Sequence, residues 1–123
     1  MYAELVFAVE AFKNSITVSR PQIESPFDLY AEGLNGVKKI QVKSTNLKYK
    51  SHRLRVNRYR FSIRKGAAKD YYSRSDLDLY ALYVIPIDKW WIIPFENLLN
   101  KGSIIINIDN DIYNEFYNNF GII

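Results

Sequence analysis

Seven consecutive residues, Leu79-Tyr80-Ala81-Leu82-Tyr83-Val84-Ile85, carry almost no polar surface and no charge. Successive side chains of a strand point to opposite faces, so a strand of this composition must be covered on both sides. That requirement predicts a central sheet with further layers above and below.

The other segments fit around such a strand. Residues 2–14 read as a helix whose apolar stripe is Leu5, Ala8, Val9 and Phe12, at i, i+3, i+4 and i+7. Ile16 to Val18 is a short strand. Phe27 to Ala31 and Lys38 to Ser44 read as two strands, and the Asn35-Gly36 pair between them signals a hairpin. Tyr59, Phe61 and Ile63 alternate with Arg58, Arg60, Ser62 and Arg64, which describes a half-buried strand with one cationic face. Residues 46–56 read as a basic loop, and residues 67–75 as a loop or short helix. Trp90 to Ile93 forms another strand, Pro94 opens a short helix to Leu99, Ile104 to Ile106 adds an edge strand, and residues 111–120 form a terminal helix. The result is an α/β domain with a mixed central sheet, one domain over 123 residues.

Charge distribution says more than the net value of +4. Between Gly33 and Lys69 there is no acid, yet twelve Lys or Arg residues occur. The dense part is Lys48, Lys50, Arg53, Arg55, Arg58, Arg60, Arg64 and Lys65, interleaved with Tyr49, Tyr59 and Phe61. A one-sided excess of this kind selects a polyanionic partner, most simply nucleic acid. With no cysteine and only one histidine, His52, thiolate and His-rich metal sites are excluded. No apolar run approaches the ~20 residues of a membrane helix, and the first residues lack a basic leader. An intracellular protein with no membrane partner is expected.

One constellation carries chemistry. Asp28 stands at the start of a strand, and Gln41 and Lys43 project together from the next while Ile40 and Val42 turn into the core. Oxygen ligands for a hard cation beside a fixed positive charge suit phosphodiester hydrolysis.

Pro26-Phe27-Asp28, Ile40-Gln41-Val42-Lys43 and the helical Glu4 resemble the PD-(D/E)xK nuclease superfamily. Val18-Ser19-Arg20-Pro21, Asp76-Leu77-Asp78 and Trp90 to Pro94 extend the likeness to the endonucleases associated with group I introns, and Holliday-junction resolvases share a similar core. The resemblance covers roughly residues 1–97 and leaves 98–123 as a C-terminal extension. It implies a restriction-endonuclease-like αβββαβ core flanked by helices, and catalytic positions at Glu4, Asp28, Gln41 and Lys43. It further implies metal ligation by Glu4, Asp28, Gln41 and the Val42 carbonyl, with Mg²⁺ as the ion and Mn²⁺ as substitute. Double-stranded DNA as substrate and a homodimer or homotetramer follow by the same likeness. Gln41 departs from the pattern: a carboxamide brings an oxygen but no charge where an acid is usual. Asp76 and Asp78 read as helix-capping or loop-ordering residues with no catalytic role, and Trp90 and Trp91 as core and interface residues.

Overall fold

The computed structural model of the chain describes residues 2–46, 58–65, 70–109 and 112–123. Helix α1 (Tyr2–Lys13) is followed by strands β1 (Thr17–Ser19), β2 (Leu29–Gly33), β3 (Gly36–Thr45), β4 (Arg58–Ser62), β5 (Leu79–Val84), β6 (Lys89–Pro94) and β7 (Ser103–Asn107). Five strands form one sheet in the order β1-β2-β3-β5-β6, parallel between β3 and β5 and antiparallel elsewhere. Strands β4 and β7 leave it and pair with each other as an antiparallel ribbon.

The expectation from Leu79 to Ile85 holds: every residue of β5 is buried. Its alternation splits the core in two. Leu79, Ala81 and Tyr83 face α1 together with Ile40, Val42, Trp90 and Ile92. Tyr80, Leu82 and Val84 face the ribbon together with Trp91, Ile93, Phe61, Ile63, Ile104 and Ile106. Where the αβββαβ pattern expects a second flanking helix, the ribbon supplies the covering layer. The segment Ile104 to Ile106 is therefore no edge of the central sheet, because its partner is β4.

Three expectations need correction. The stripe of Leu5, Val9 and Phe12 is exposed, at 55%, 56% and 82%, while Phe7 and Ala11 are fully buried. Apolar residues occur on two sides of this helix, and periodicity cannot say which side meets the sheet. The Phe7 ring packs edge-on against Trp90 at 5.5 Å, and its removal would cost ~3–5 kcal/mol. Second, the strand expected from Phe27 begins at Leu29, which frees Phe27 to pack into the ribbon-side core instead. Third, residues 112–123 form 3₁₀ turns at Asn114–Phe116 and Phe120–Ile122 in place of a terminal helix. Asn118 adopts φ 49° and donates its N–H to the Trp90 carbonyl at 2.8 Å, which ends helical propagation.

The chain end is built into the core rather than appended to it. Tyr113 and Phe116 join the ribbon-side cluster, and Phe120 and Ile123 the helix-side cluster. Asn35, at the β2–β3 turn, donates through Nδ2 to the carbonyls of Gly121 and Ile122. The turn itself centres on Leu34-Asn35, with Gly33 and Gly36 paired across it and Gly36 taking φ 92°. Gly36 thus completes the turn instead of sitting inside it. Among the described residues no helix is long and apolar enough to cross a membrane.

Candidate active site

The site forms where β2 and β3 part. Antiparallel pairing opens at Leu29 opposite Ile40, so the same register puts Asp28 opposite Gln41. The Asp28 N–H donates to the Ile40 carbonyl at 2.9 Å. Its carboxylate reaches one residue further and accepts the Val42 N–H at 2.9 Å. Beyond this point β3 has β5 on one side and Asp28 on the other. A strand residue directs its N–H and C=O to the same side, so the Val42 carbonyl also faces Asp28. Gln41 and Lys43 project together on the ribbon side. Gln41 is buried at 8% exposure, one of two buried polar residues among those described.

Lys43 is held from two directions. Its Nζ lies over the Tyr72 ring, 5.5 Å from the centroid, a cation–π contact, and donates to the Arg64 carbonyl at 3.4 Å. Burial lowers its pKa from the usual lysine value, and Asp28 partly offsets this. Burial also raises the pKa of Asp28. The Val42 N–H pulls it down, Glu4 pushes it up, and Lys43 pulls it down. Burial, reinforced by Asp28 and Asp76, pushes the Tyr72 hydroxyl up to about 12, so it stays protonated.

Glu4 belongs to the same neighbourhood, since its charge is felt at Asp28. It pairs with Arg20 of the Val-Ser-Arg-Pro run at 3.5 Å. Among the described residues no three His, Cys, Asp or Glu side chains converge on one point. The donor set is therefore two carboxylates, the Gln41 carboxamide and the Val42 carbonyl. All are oxygens, which suits a hard divalent cation. A half-buried Asp28 whose charge is disfavoured by burial and by Glu4 would be relieved by such an ion, so the residues fit it.

Of these groups Asp28 and Gln41 line a cleft of 460 Å³, together with Glu24, Ser25, Pro26, Lys65 and Tyr72. Lys65, expected among the DNA-contacting residues, thus stands at the mouth of the site, 3.6 Å from Asp76. A second, polar cleft of 480 Å³ runs along the outer face of the ribbon past Arg60, Ser62 and Arg64. The Arg64 guanidinium lies over Tyr71 at 5.3 Å and crosses Gly102 so closely that a Cβ there would stand 2.7 Å from Nε. Arg58 shares the outward face of β4 with Arg60. Lys48, Lys50, Arg53 and Arg55 lie outside the described residues.

Sequence reasoning missed Tyr72 and the Arg64 carbonyl, both of which position Lys43. They stand 29 and 21 residues along the chain from it, and no local pattern marks them. Asp76 and Asp78 order the loop, as expected. Asp76 accepts the Ser73 N–H at 2.8 Å, and Asp78 accepts the Lys39 N–H at 2.8 Å while pairing with Arg74 at 2.8 Å.

A sequence model of the PD-(D/E)XK endonuclease family matches residues 2–113, a span holding all four candidate catalytic positions. The chain belongs to the PD-(D/E)XK endonuclease family. It is accordingly a nuclease, and nucleases of this family generally use divalent metal ions. Its fold is similar to the solved structure of a bacterial homing endonuclease, I-Ssp6803I, with TM-score 0.73 and 18% identity over 98% of this chain and 85% of that one. Among curated protein sequences none matches.

Proposed function

We propose that this PD-(D/E)XK protein is a Mg²⁺-dependent endonuclease that hydrolyses phosphodiester bonds of double-stranded DNA, site-specifically and of the intron-homing kind. The observation that carries the reading is the parting of β2 and β3. There Asp28 accepts the Val42 N–H and lines an open cleft with Gln41 and Tyr72, while the semi-buried Lys43 lies over the Tyr72 ring. Asp28, Glu4, Gln41 and the Val42 carbonyl would hold the ion, for which Mn²⁺ can substitute. The bound cation would supply Lewis-acid polarisation of the phosphate. Lys43 has the task of orienting the attacking water or countering charge that develops on the phosphate.

Arg58, Arg60, Arg64 and Lys65, together with Lys48, Lys50, Arg53 and Arg55 of the basic run, are our assignment for contacts to the phosphate backbone. We read residues 1–123 as a single nuclease domain, with 98–123 closing its core, acting inside the cell. One such site cuts one strand, so a double-strand cut calls for a homodimer or homotetramer. The intron-homing assignment is supported by the likeness to I-Ssp6803I.

The test is cleavage of supercoiled plasmid with Mg²⁺, alongside Lys43→Ala and Asp28→Ala. Mg²⁺-dependent nicking by the parent alone is the expected result. A second reading, a nucleic-acid-binding module without cleavage, draws support from Gln41 in place of the usual acid. Binding without nicking at any metal concentration would establish that reading instead. Rates on duplex against four-way-junction substrates separate a homing enzyme from a junction resolvase.

A further inference from the structure

Helix α1 is apolar on two opposite sides. Phe7 and Ala11 are fully buried, with Ala3 and Val6 packed beside them against the sheet. At ~100° per residue, Tyr2, Leu5, Val9 and Phe12 gather on the side turned roughly 180° away. All four are exposed, at 59%, 55%, 56% and 82%, and Tyr2, at the end of the row, also sets its ring edge-on to Tyr83 at 6.4 Å. A helix apolar on both sides is normally covered on both. The intervals of three, four and three residues are those of a coiled-coil seam.

The chemistry of the helix selects what covers this face. α1 carries two acids, Glu4 and Glu10, against one base, Lys13, which disfavours a nucleic-acid backbone. It also lacks the basic flank of a membrane-surface helix. What fits is another apolar helix face, and the stripe is its own complement under a two-fold axis, where residue i meets j and j meets i. Antiparallel pairing would also set the two helix dipoles head to tail. The four side chains expose on the order of 400 Å², within the range of the largest patches on monomers. That is about half of the ~800 Å² per partner of a standard interface, enough for its apolar centre inside a polar rim.

We propose that the outer face of α1, built from Tyr2, Leu5, Val9 and Phe12, is the surface through which two copies of this chain associate. The inference deepens the nuclease reading, resting on it only for why two centres are useful. Glu4 rides on the same helix, so association clamps the element that presents one metal-centre carboxylate.

Sedimentation equilibrium on the full chain, without DNA or metal and over a wide concentration range, tests this. The parent is expected at an even multiple of the 14.5 kDa chain mass. The double variant Leu5→Glu/Val9→Glu should raise the dissociation constant ~100-fold or more by placing unpaired charge in the seam. Phe12→Glu is the second variant, since a side chain 82% exposed leaves little inside one copy for it to disturb. Native circular dichroism with monomer mass in either variant supports the proposal. A parent that is monomeric throughout overturns it, as does a natively folded Phe12→Glu that associates as tightly as the parent. A dimer that fails to nick DNA would sink the nuclease reading and leave this surface standing.

Discussion

Two carboxylates clip onto the same strand in the same way and end in opposite states. Asp28 accepts the Val42 N–H at 2.9 Å, and Asp78 accepts the Lys39 N–H at 2.8 Å. Burial raises the pKa of both. At Asp78 the Lys39 N–H and the Arg74 guanidinium outweigh it, and the carboxyl is held below its usual range. At Asp28 the Val42 N–H and Lys43 do not outweigh burial and the charge of Glu4, and the carboxyl is held above it. The backbone bond alone therefore does not distinguish a structural clip from a site. The second neighbour does. A carboxylate hydrogen-bonded to a guanidinium is already neutralised, whereas one facing another carboxylate, with Lys43 too weak to offset burial, still lacks a full counter-charge, which a divalent ion can provide.

Replacement at the two positions gives the widest separation. Asp28→Ala and Lys43→Ala are each expected to lower the rate of Mg²⁺-dependent plasmid nicking ~10³-fold, the scale on which a metal ligand or a charge-stabilising group acts. Asp78→Ala should stay within ~5-fold once the folded fraction is equalised, because its role ends at the β3–β5 junction. Comparable losses at Asp28 and Asp78 would erase the distinction. The stability order should run the other way. Asp78→Ala orphans the Lys39 N–H and releases Arg74, and is expected to cost ~2 kcal/mol. At ~4 °C per kcal/mol for a domain near this size, a thermal melt should fall by roughly 8 °C.

How far these differences could be read without coordinates depends on the range of each cause. The doubly covered strand at Leu79 to Val84 and the alternation of Gln41 and Lys43 against Ile40 and Val42 are local, so periodicity suffices. Asp28 was legible as a strand-start carboxylate between apolar neighbours. The pairing of β4 with β7 was not, because Tyr59-x-Phe61-x-Ile63 states that one face is buried and not which strand lies beside it. The buried face of α1 failed for a related reason. Phe7/Ala11 and Leu5/Val9 are both good helical stripes, and only the sheet decides between them. Within the site, Tyr72 beneath Lys43 depends on a loop return that no spacing rule records.

The smallest effect is the sharpest test of the comparison, because its sign reverses between the two positions. Without metal, Asp28→Asn keeps an acceptor for the Val42 N–H and removes a charge that burial penalises. It should stabilise the protein by ~1 kcal/mol at neutral pH, seen as a melting temperature roughly 4 °C higher. A folded-state pKa above 3.8 means that the Asp28 contribution is full below pH 3.8 and is lost as pH rises through the raised value. The advantage of Asp28→Asn should therefore grow with pH across that window and then level off. For Asp78 the folded pKa is lowered, so its contribution is present above pH 3.8 and is lost as pH falls through the lower value. The deficit of Asp78→Asn should shrink on acidification. Saturating Mg²⁺ at neutral pH should stabilise the parent by mass action and leave Asp28→Asn nearly unmoved, cancelling or inverting their order. Melting curves of the three proteins across acid and neutral pH, with and without Mg²⁺, measure all of this. A difference between parent and Asp28→Asn that ignores both pH and metal would show that Asp28 is a second structural clip, like Asp78.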